Sequence, residues 1–315
     1  MNELNKLKIL VVGDIMLDKY VIGNIERISP EAPVPVVDVT KEYYTLGGCG
    51  NVARNLSKLG VETYCVGAAG LDGNKDILMQ TLRLSNIHAH ITQIKKRPTT
   101  VKERIIAKDR STQLLRIDRE DRSQISHEKI ISEIRHIMIS NCVTPDIILV
   151  SDYNKGVVTR ELMKELEQIS YKSDIKLIID PKPANYNIYE KAWAITPNEK
   201  EFGSMTLRQY DFFDNVIVTL GAKGVKIVKS YNCDKTCRIA GEPVDVFNVT
   251  GAGDSFVAVF STCAALGMDV INSSRIANKC AAYAVTKPGT SSVPLEIFNK
   301  AVKSLFPEGE GIWLS

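Results

Sequence analysis

Thr250-Gly251-Ala252-Gly253-Asp254 runs directly into an apolar helical pattern of Phe256, Val259, Phe260 and Cys263. Small residues at a helix start leave backbone N–H groups free to point at an anion, and the helix dipole adds to that attraction. An aspartate closing such a turn can take a hydroxyl proton while charge builds on a transferring phosphoryl group. The same spacing also describes a glycine turn with Asp254 as a helix cap, so the run alone leaves two readings.

Outward from this run, short β-branched stretches alternate with amphipathic helical ones along almost the whole chain. Strands are expected at 8–12, 61–67, 146–151, 175–180, 215–220 and 224–229. Helices are expected at 51–59, 73–84, 126–139, 159–169, 253–266, 270–286 and 294–305. The strands lack a clean polar face, which predicts an α/β fold with a mostly parallel sheet covered by helices on both sides. Two stretches, 18–46 and 98–118, are strand-rich without an intervening helix. They are expected to pair as a small antiparallel sheet that acts as a lid beside the carboxyl ends of the main strands. No repeat or Pro/Gly/Ser linker interrupts the chain, so residues 1–315 read as one principal domain.

The 315 residues are 44% hydrophobic and 24% charged, with 40 basic against 37 acidic side chains and a net charge of +3. That balance carries no footprint for nucleic acid or a membrane surface, though it permits a local basic pocket for an anionic metabolite. The polar start Met1–Lys8 holds no signal-peptide core, and no run approaches the ~18 apolar residues of a membrane span. A cytoplasmic protein with reduced thiols is expected. The closest of its 7 cysteines, Cys233 and Cys237, have neither a second pair nor a nearby histidine to complete a zinc site.

Other chemistries find little support. No G-x-x-x-x-G-K-[ST] run exists, which argues against a P-loop nucleotidase. Gly48-Cys49-Gly50-Asn51-Val52-Ala53 fits a loosened dinucleotide fingerprint, but it follows the lid-like stretch instead of the first strand of a βαβ unit. His88, His90, His127 and His136 show no HExxH or triad context.

The combination of Gly47, Gly48 and Asn51 with Asn198-Glu199-Lys200-Glu201, Thr219-Leu220-Gly221-Ala222-Lys223-Gly224 and Thr250–Asp254 resembles the ribokinase-type (PfkB) carbohydrate kinases, in order and spacing. More narrowly, the stretches Val12–Asp18, Arg27–Val36, Pro98–Lys102, Gln113–Asp118 and Ser151–Gly156 resemble the heptose-7-phosphate kinases of ADP-heptose synthesis. The resemblance implies a ribokinase-like fold and an ATP-dependent, Mg²⁺-assisted sugar kinase. Its acceptor would be the anomeric hydroxyl of D-glycero-D-manno-heptose 7-phosphate. Another sugar, sugar phosphate or nucleoside is the alternative acceptor, and a non-catalytic sugar- or nucleotide-binding protein is the alternative class.

By the family pattern, Asp254 is the base, and the N–H groups of Gly251, Ala252 and Gly253 form the anion hole. Glu201 organises Mg²⁺ through water within the Asn198, Glu199, Lys200, Glu201 element. Thr219, Gly221 and Gly224 border the nucleotide, with Asn278 and Gly289 at the adenine. Asp14, Asp18, Gly47, Gly48, Asn51 and Asp152 form the sugar side, where carboxylates and an amide satisfy many hydroxyls. The distal phosphate needs cations, for which Lys102, Arg104, Arg116, Lys155 and Lys182 are the candidates. A homodimer through the lid sheet is implied too.

Three departures stand out. The chain leaves no room for the adenylyl-transfer domain fused to many relatives. Cys49 and Gly50 stand where alanines are frequent. Asn248 replaces a frequent aspartate that helps bind a monovalent cation, which leaves that requirement open.

Overall fold

The computed structural model describes residues 3–109, 112–229, 236–287 and 289–306. Cys233, one of the paired cysteines weighed above, lies outside the described residues. The chain opens with β1 (Lys8–Gly13), β2 (Ile15–Ile28), β3 (Pro35–Gly48), α1 (Cys49–Lys58), β4 (Glu62–Gly70), α2 (Gly73–Leu84) and β5 (His88–Ile94). There follow β6 (Val101–Ala107), β7 (Thr112–Arg119), α3 (His127–Arg135), β8 (Ile147–Ser151), α4 (Arg160–Ser173), β9 (Lys176–Asp180) and β10 (Ala192–Ile195). The last third holds α5 (Glu199–Phe202), α6 (Leu207–Tyr210), β11 (Phe213–Thr219), β12 (Val225–Lys229), β13 (Cys237–Ile239), α7 (Ala252–Ala265), α8 (Val270–Val285) and α9 (Leu295–Leu305).

Among the described residues, nine strands form the main sheet in the order β13-β12-β11-β10-β9-β8-β1-β4-β5. It is parallel from β5 through to β11, and β12 and β13 return antiparallel at one edge. In the central strand, Ile9 and Val11 enter one hydrophobic layer while Leu10 and Val12 enter the other. Alternate side chains of a strand point to opposite faces, so a strand apolar at every position must be covered on both. α1, α2, α7, α8 and α9 contribute to the first layer, and α3 and α4 to the second.

The stretches without helices form a separate four-stranded sheet, ordered β3-β2-β6-β7. β2 and β3 pair antiparallel, as do β6 and β7, and the two pairs join through a parallel contact between β2 and β6. β2 leaves the main sheet immediately after β1, so residues 14–18 lie between the two sheets. Gly48 closes β3 at φ 60, where a Cβ would meet the Asp14 carbonyl oxygen at 2.2 Å. Only glycine fits that turn, which delivers α1 to the sheet junction.

Strands β5, β10 and β13 and the short helices α5 and α6 were not expected from periodicity. The expected helix over 126–139 ends as α at Arg135 and continues as one π turn over His136–Ser140. No helix among the described residues is long and apolar enough to cross a membrane.

Candidate active site

A cavity of about 370 Å³ opens between the carboxyl ends of the main sheet, the start of α7 and the small sheet. Asp254 stands in it on the first turn of α7 and is 8% exposed. Gly251 precedes that turn at φ 82, and a Cβ there would lie 2.9 Å from Asn51 Nδ2. Gly251 thus lets α1 and α7 approach closely. Asn51 Nδ2 donates to Asp254 Oδ2 at 2.6 Å, and the Tyr153 hydroxyl donates to Asp254 Oδ1 at 2.5 Å. Burial pushes the Asp254 carboxyl above the usual range, and these two donors pull it back. A buried carboxylate in this balance has the chemistry of a general base.

Gly251 and Gly253 line the cavity, while the Ala252 N–H turns back toward the Val249 carbonyl at 3.3 Å. Asn248 Oδ1 accepts from the Thr250 N–H at 2.8 Å, so its amide braces this same turn without adding charge.

On the small-sheet side, Asp18, Gly48, Lys102 and Arg104 line the cavity. Arg104 Nη1 donates to Asp18 Oδ1 at 2.6 Å, and Gly47 leaves room for that carboxylate, since a Cβ would sit 2.8 Å from Oδ2. Lys102 and Arg104 alternate on β6, which puts both on one face. Lys102 Nζ lies 5.5 Å from the centre of the Tyr153 ring, and burial lowers its pKa.

Five expected sugar-side residues are placed elsewhere, and one of them, Lys182, stands on the opposite wall with its ammonium on Glu201 Oε1. Asp14, 1% exposed, accepts the backbone N–H groups of Tyr153, Lys155 and Val157 at 2.9, 2.9 and 3.0 Å. It therefore holds the turn that carries Tyr153 and does not line the cavity. Asp152 accepts the Tyr189 hydroxyl and the Asn185 amide behind the same turn. Lys155 gives its ammonium to Glu120, away from the cavity. Arg116 lies opposite Arg104 in register but one strand farther out, where its exposed guanidinium is taken by Asp118 at 2.9 and 3.0 Å.

The opposite wall carries Asp180, Lys182, Thr196, Asn198, Glu201 and Thr219. Asn198 and Glu201 form a reciprocal capping box, each accepting the other's backbone N–H at 2.9 Å. Capping explains the acids here, but the box uses only Glu201 Oε2. Lys182 donates to Oε1 at 2.6 Å. Burial and the charge of Asp254 push the Asp180 carboxyl well up. The hard oxygens of Asp180 and Glu201 suit a Mg²⁺ ion that keeps its waters.

Glu199 and Lys200 point outward, with Glu199 loosely paired to Lys223 at 3.5 Å. Gly221 and Gly224 shape the turn after β11, at φ 57 and 93. Asn278 is buried and donates to the Ala240 carbonyl at 2.9 Å. Gly289 lies near Tyr20, on the small-sheet side. Asp180, Thr196 and Thr290 line the cavity without having been expected. Tyr153 was quoted only within a longer stretch. Its signal is a tyrosine two residues past a strand carboxyl end.

The fold is ribokinase-like, an α/β sandwich with a smaller second sheet. Among solved structures, phosphofructokinase-2 from Escherichia coli matches with a TM-score of 0.75 at 19% identity, covering 95% of this chain and 99% of that one. Ribokinase from Thermotoga maritima matches with a TM-score of 0.70 at 23% identity, covering 94% and 99%. The pfkB family of carbohydrate kinases matches residues 6–297, and the chain belongs to that family, whose ribokinase-like members are ATP-dependent sugar kinases.

Its relatives include the bifunctional protein HldE of Geobacter sulfurreducens, 38% identical over 96% of this chain and 64% of that protein. HldE of Desulfatibacillum aliphaticivorans is 35% identical over 91% of this chain and 61% of that protein. The chain thus spans less than two thirds of the curated relatives it matches.

Proposed function

We propose that the chain transfers the γ-phosphate of ATP to the anomeric hydroxyl of D-glycero-D-manno-heptose 7-phosphate, giving the 1,7-bisphosphate. The observation that carries this reading is the Asp254 carboxylate, held by Asn51 and Tyr153 between two unlike walls. One wall offers the Asp18–Arg104 pair and Lys102, suited to sugar hydroxyls and a distal phosphate. The other offers Lys182, Glu201 and Thr219, suited to a nucleotide triphosphate. The resemblance to the heptose kinases and the similarity to HldE proteins support the choice of acceptor.

In this reading Asp254 takes the proton of the attacking hydroxyl. The N–H groups of Gly251 and Gly253 face the charge developing on the phosphoryl oxygens, with the dipole of α7 behind them. Glu201, with Asp180 beside it, would hold Mg²⁺, which neutralises phosphate charge when bound. Lys102 and Arg104 hold the distal phosphate. The small sheet, formed from the segments about 18–46 and 98–118, closes over the sugar as a lid. Its outer strands β3 and β7 expose Val39, Leu114 and Leu115, which supports burial against a second copy in a cytoplasmic homodimer.

A panel of acceptors assayed for ADP release tests the acceptor. The heptose 7-phosphate should give the highest kcat/KM. A strong preference for an unphosphorylated pentose or hexose would overturn the choice. No turnover with any phosphorylated sugar, despite ATP binding, would return the chain to the non-catalytic class.

A further inference from the structure

Arg54 takes no part in the roles above, yet it stands next to them. It lies on α1 three residues after Asn51, and its Nη2 donates to Asn51 Oδ1 at 2.7 Å and to the Thr290 carbonyl at 2.5 Å. A guanidinium has donors and no acceptor, so only the oxygen of the Asn51 amide can face it. The amide nitrogen is thereby turned the other way, onto Asp254 Oδ2 at 2.6 Å. A flipped amide would set an oxygen against a carboxylate oxygen at that distance, a repulsive contact.

Charged Asp254 selects the donor orientation of Asn51 without help. Once Asp254 has taken a proton, its carboxyl can itself donate, and that selection weakens. Arg54 does not titrate in the working range and keeps the amide nitrogen facing the base in both protonation states.

The local cost points the same way. Arg54 Nε is buried with no partner among the described residues, which a donor in a merely structural tie would avoid. A link to the Thr290 carbonyl alone could be made by one neutral donor. Thr290 also joins Thr45 of β3 at 3.1 Å, so the same guanidinium ties the small sheet and the base to one helix.

We infer that Arg54 is a positioning residue for the reaction: through the amide of Asn51 it keeps a hydrogen-bond donor on Asp254 throughout the catalytic cycle. The inference rests on the reading of Asp254 as the base. The groups that also face Asp254 are Asp18 from β2, Cys49 from α1, Lys102 from β6, Tyr153 after β8 and Asp180 at the end of β9. None of them touches the Asn51 oxygen.

The test compares the full chain with Arg54→Met, Arg54→Lys, Asn51→Ala, the double variant Arg54→Met/Asn51→Ala and, separately, Asp254→Asn. Each is assayed with Mg-ATP and D-glycero-D-manno-heptose 7-phosphate across pH. Arg54→Met should lower kcat by about 100-fold, the scale of misplaced catalytic geometry, with the KM for ATP little changed. The acid limb of kcat/KM should move to higher pH, Arg54→Lys should recover part of the loss, and the double variant should be no worse than Asn51→Ala.

If Arg54→Met fails to fold, a cycle of Arg54→Lys with Asn51→Ala reads the same coupling. Additive losses in the cycle, or an unchanged acid limb with kcat within about twofold of the parent, overturn the inference. Turnover surviving in Asp254→Asn overturns the base assignment itself, and this inference with it. Loss in Asp254→Asn beside an unaffected Arg54→Met overturns the inference alone.

Discussion

Tyr153 donates its hydroxyl to Asp254 Oδ1 at 2.5 Å, across 101 positions of sequence. The tyrosine is held there by Asp14, whose carboxylate accepts the Tyr153 N–H at 2.9 Å. A side chain expected to bind sugar instead supports the tyrosine that meets the proposed base.

This contact sets a pH dependence. In the proposed reaction Asp254 works deprotonated; burial raises its pKa, and the Asn51 and Tyr153 donors lower it. Tyr153→Phe removes one donor, so the acid limb of kcat/KM should move to higher pH. A loss of about tenfold or more in kcat near neutrality should accompany it, the value of a hydrogen bond to a charged group. A pH–rate profile of the variant checks both.

The expected cations separate cleanly by placement. Arg104→Ala should raise the KM for the sugar phosphate by about 10- to 100-fold, since it removes a charged partner inside the cavity. Arg116→Ala, whose guanidinium is spent on Asp118 outside it, should leave KM within about twofold, as exposed pairs contribute little. Steady-state kinetics on the two variants side by side is the check.

Glu201→Gln keeps much of the capping geometry but removes a charge from the wall proposed to hold the nucleotide and Mg²⁺. The Mg²⁺ concentration giving half-maximal rate should rise by about tenfold, the usual effect of an outer-shell partner. A magnesium titration at fixed ATP reads this directly. An unchanged titration would move the metal away from Glu201.

Asp152 is pushed up to about 6 from its ordinary 3.8, by burial first and then by the charge of Asp14. A carboxyl raised on folding contributes stability that is fully present below its unfolded pKa and is lost as pH rises through the folded one. Its contribution therefore fades between about pH 4 and pH 6. Asp152→Asn, neutral throughout, should gain on the parent in urea midpoint as pH rises from 4.5 to 7. Parallel profiles for the two proteins would contradict the shift.

Much of the architecture was legible because buried parallel strands are apolar at every position, as Ile9–Val12 and Ile147–Val150 are. β5 was not, because its partly exposed edge position mixes His88, His90, Thr92 and Gln93 among apolar residues. β10 was not, because four residues carry no readable period.

At the site, the glycine-rich run made Asp254 legible as either a base or a cap, and the resemblance to the carbohydrate kinases decided for the base and added Asn51. The cations could not be sorted, because a sequence shows that Lys102, Arg104, Arg116 and Lys155 are charged but not what neutralises them. Lys155 meets Glu120 across 35 positions of sequence and Arg116 meets Asp118 two residues along its own strand, and only the fold shows which carboxylate each cation finds. Arg54 was invisible for a related reason, as its role lies in the direction of an amide on the preceding helical turn.

The most direct measurement is ³¹P NMR of the products formed from ATP and D-glycero-D-manno-heptose 7-phosphate by the parent chain and by Asp254→Asn. The parent should produce ADP together with a new anomeric phosphate resonance while the 7-phosphate persists. Asp254→Asn should bind ATP and produce neither. An anomeric phosphate formed by Asp254→Asn at a rate within about tenfold of the parent would contradict Asp254 as the base, whose general-base contribution is expected to exceed that.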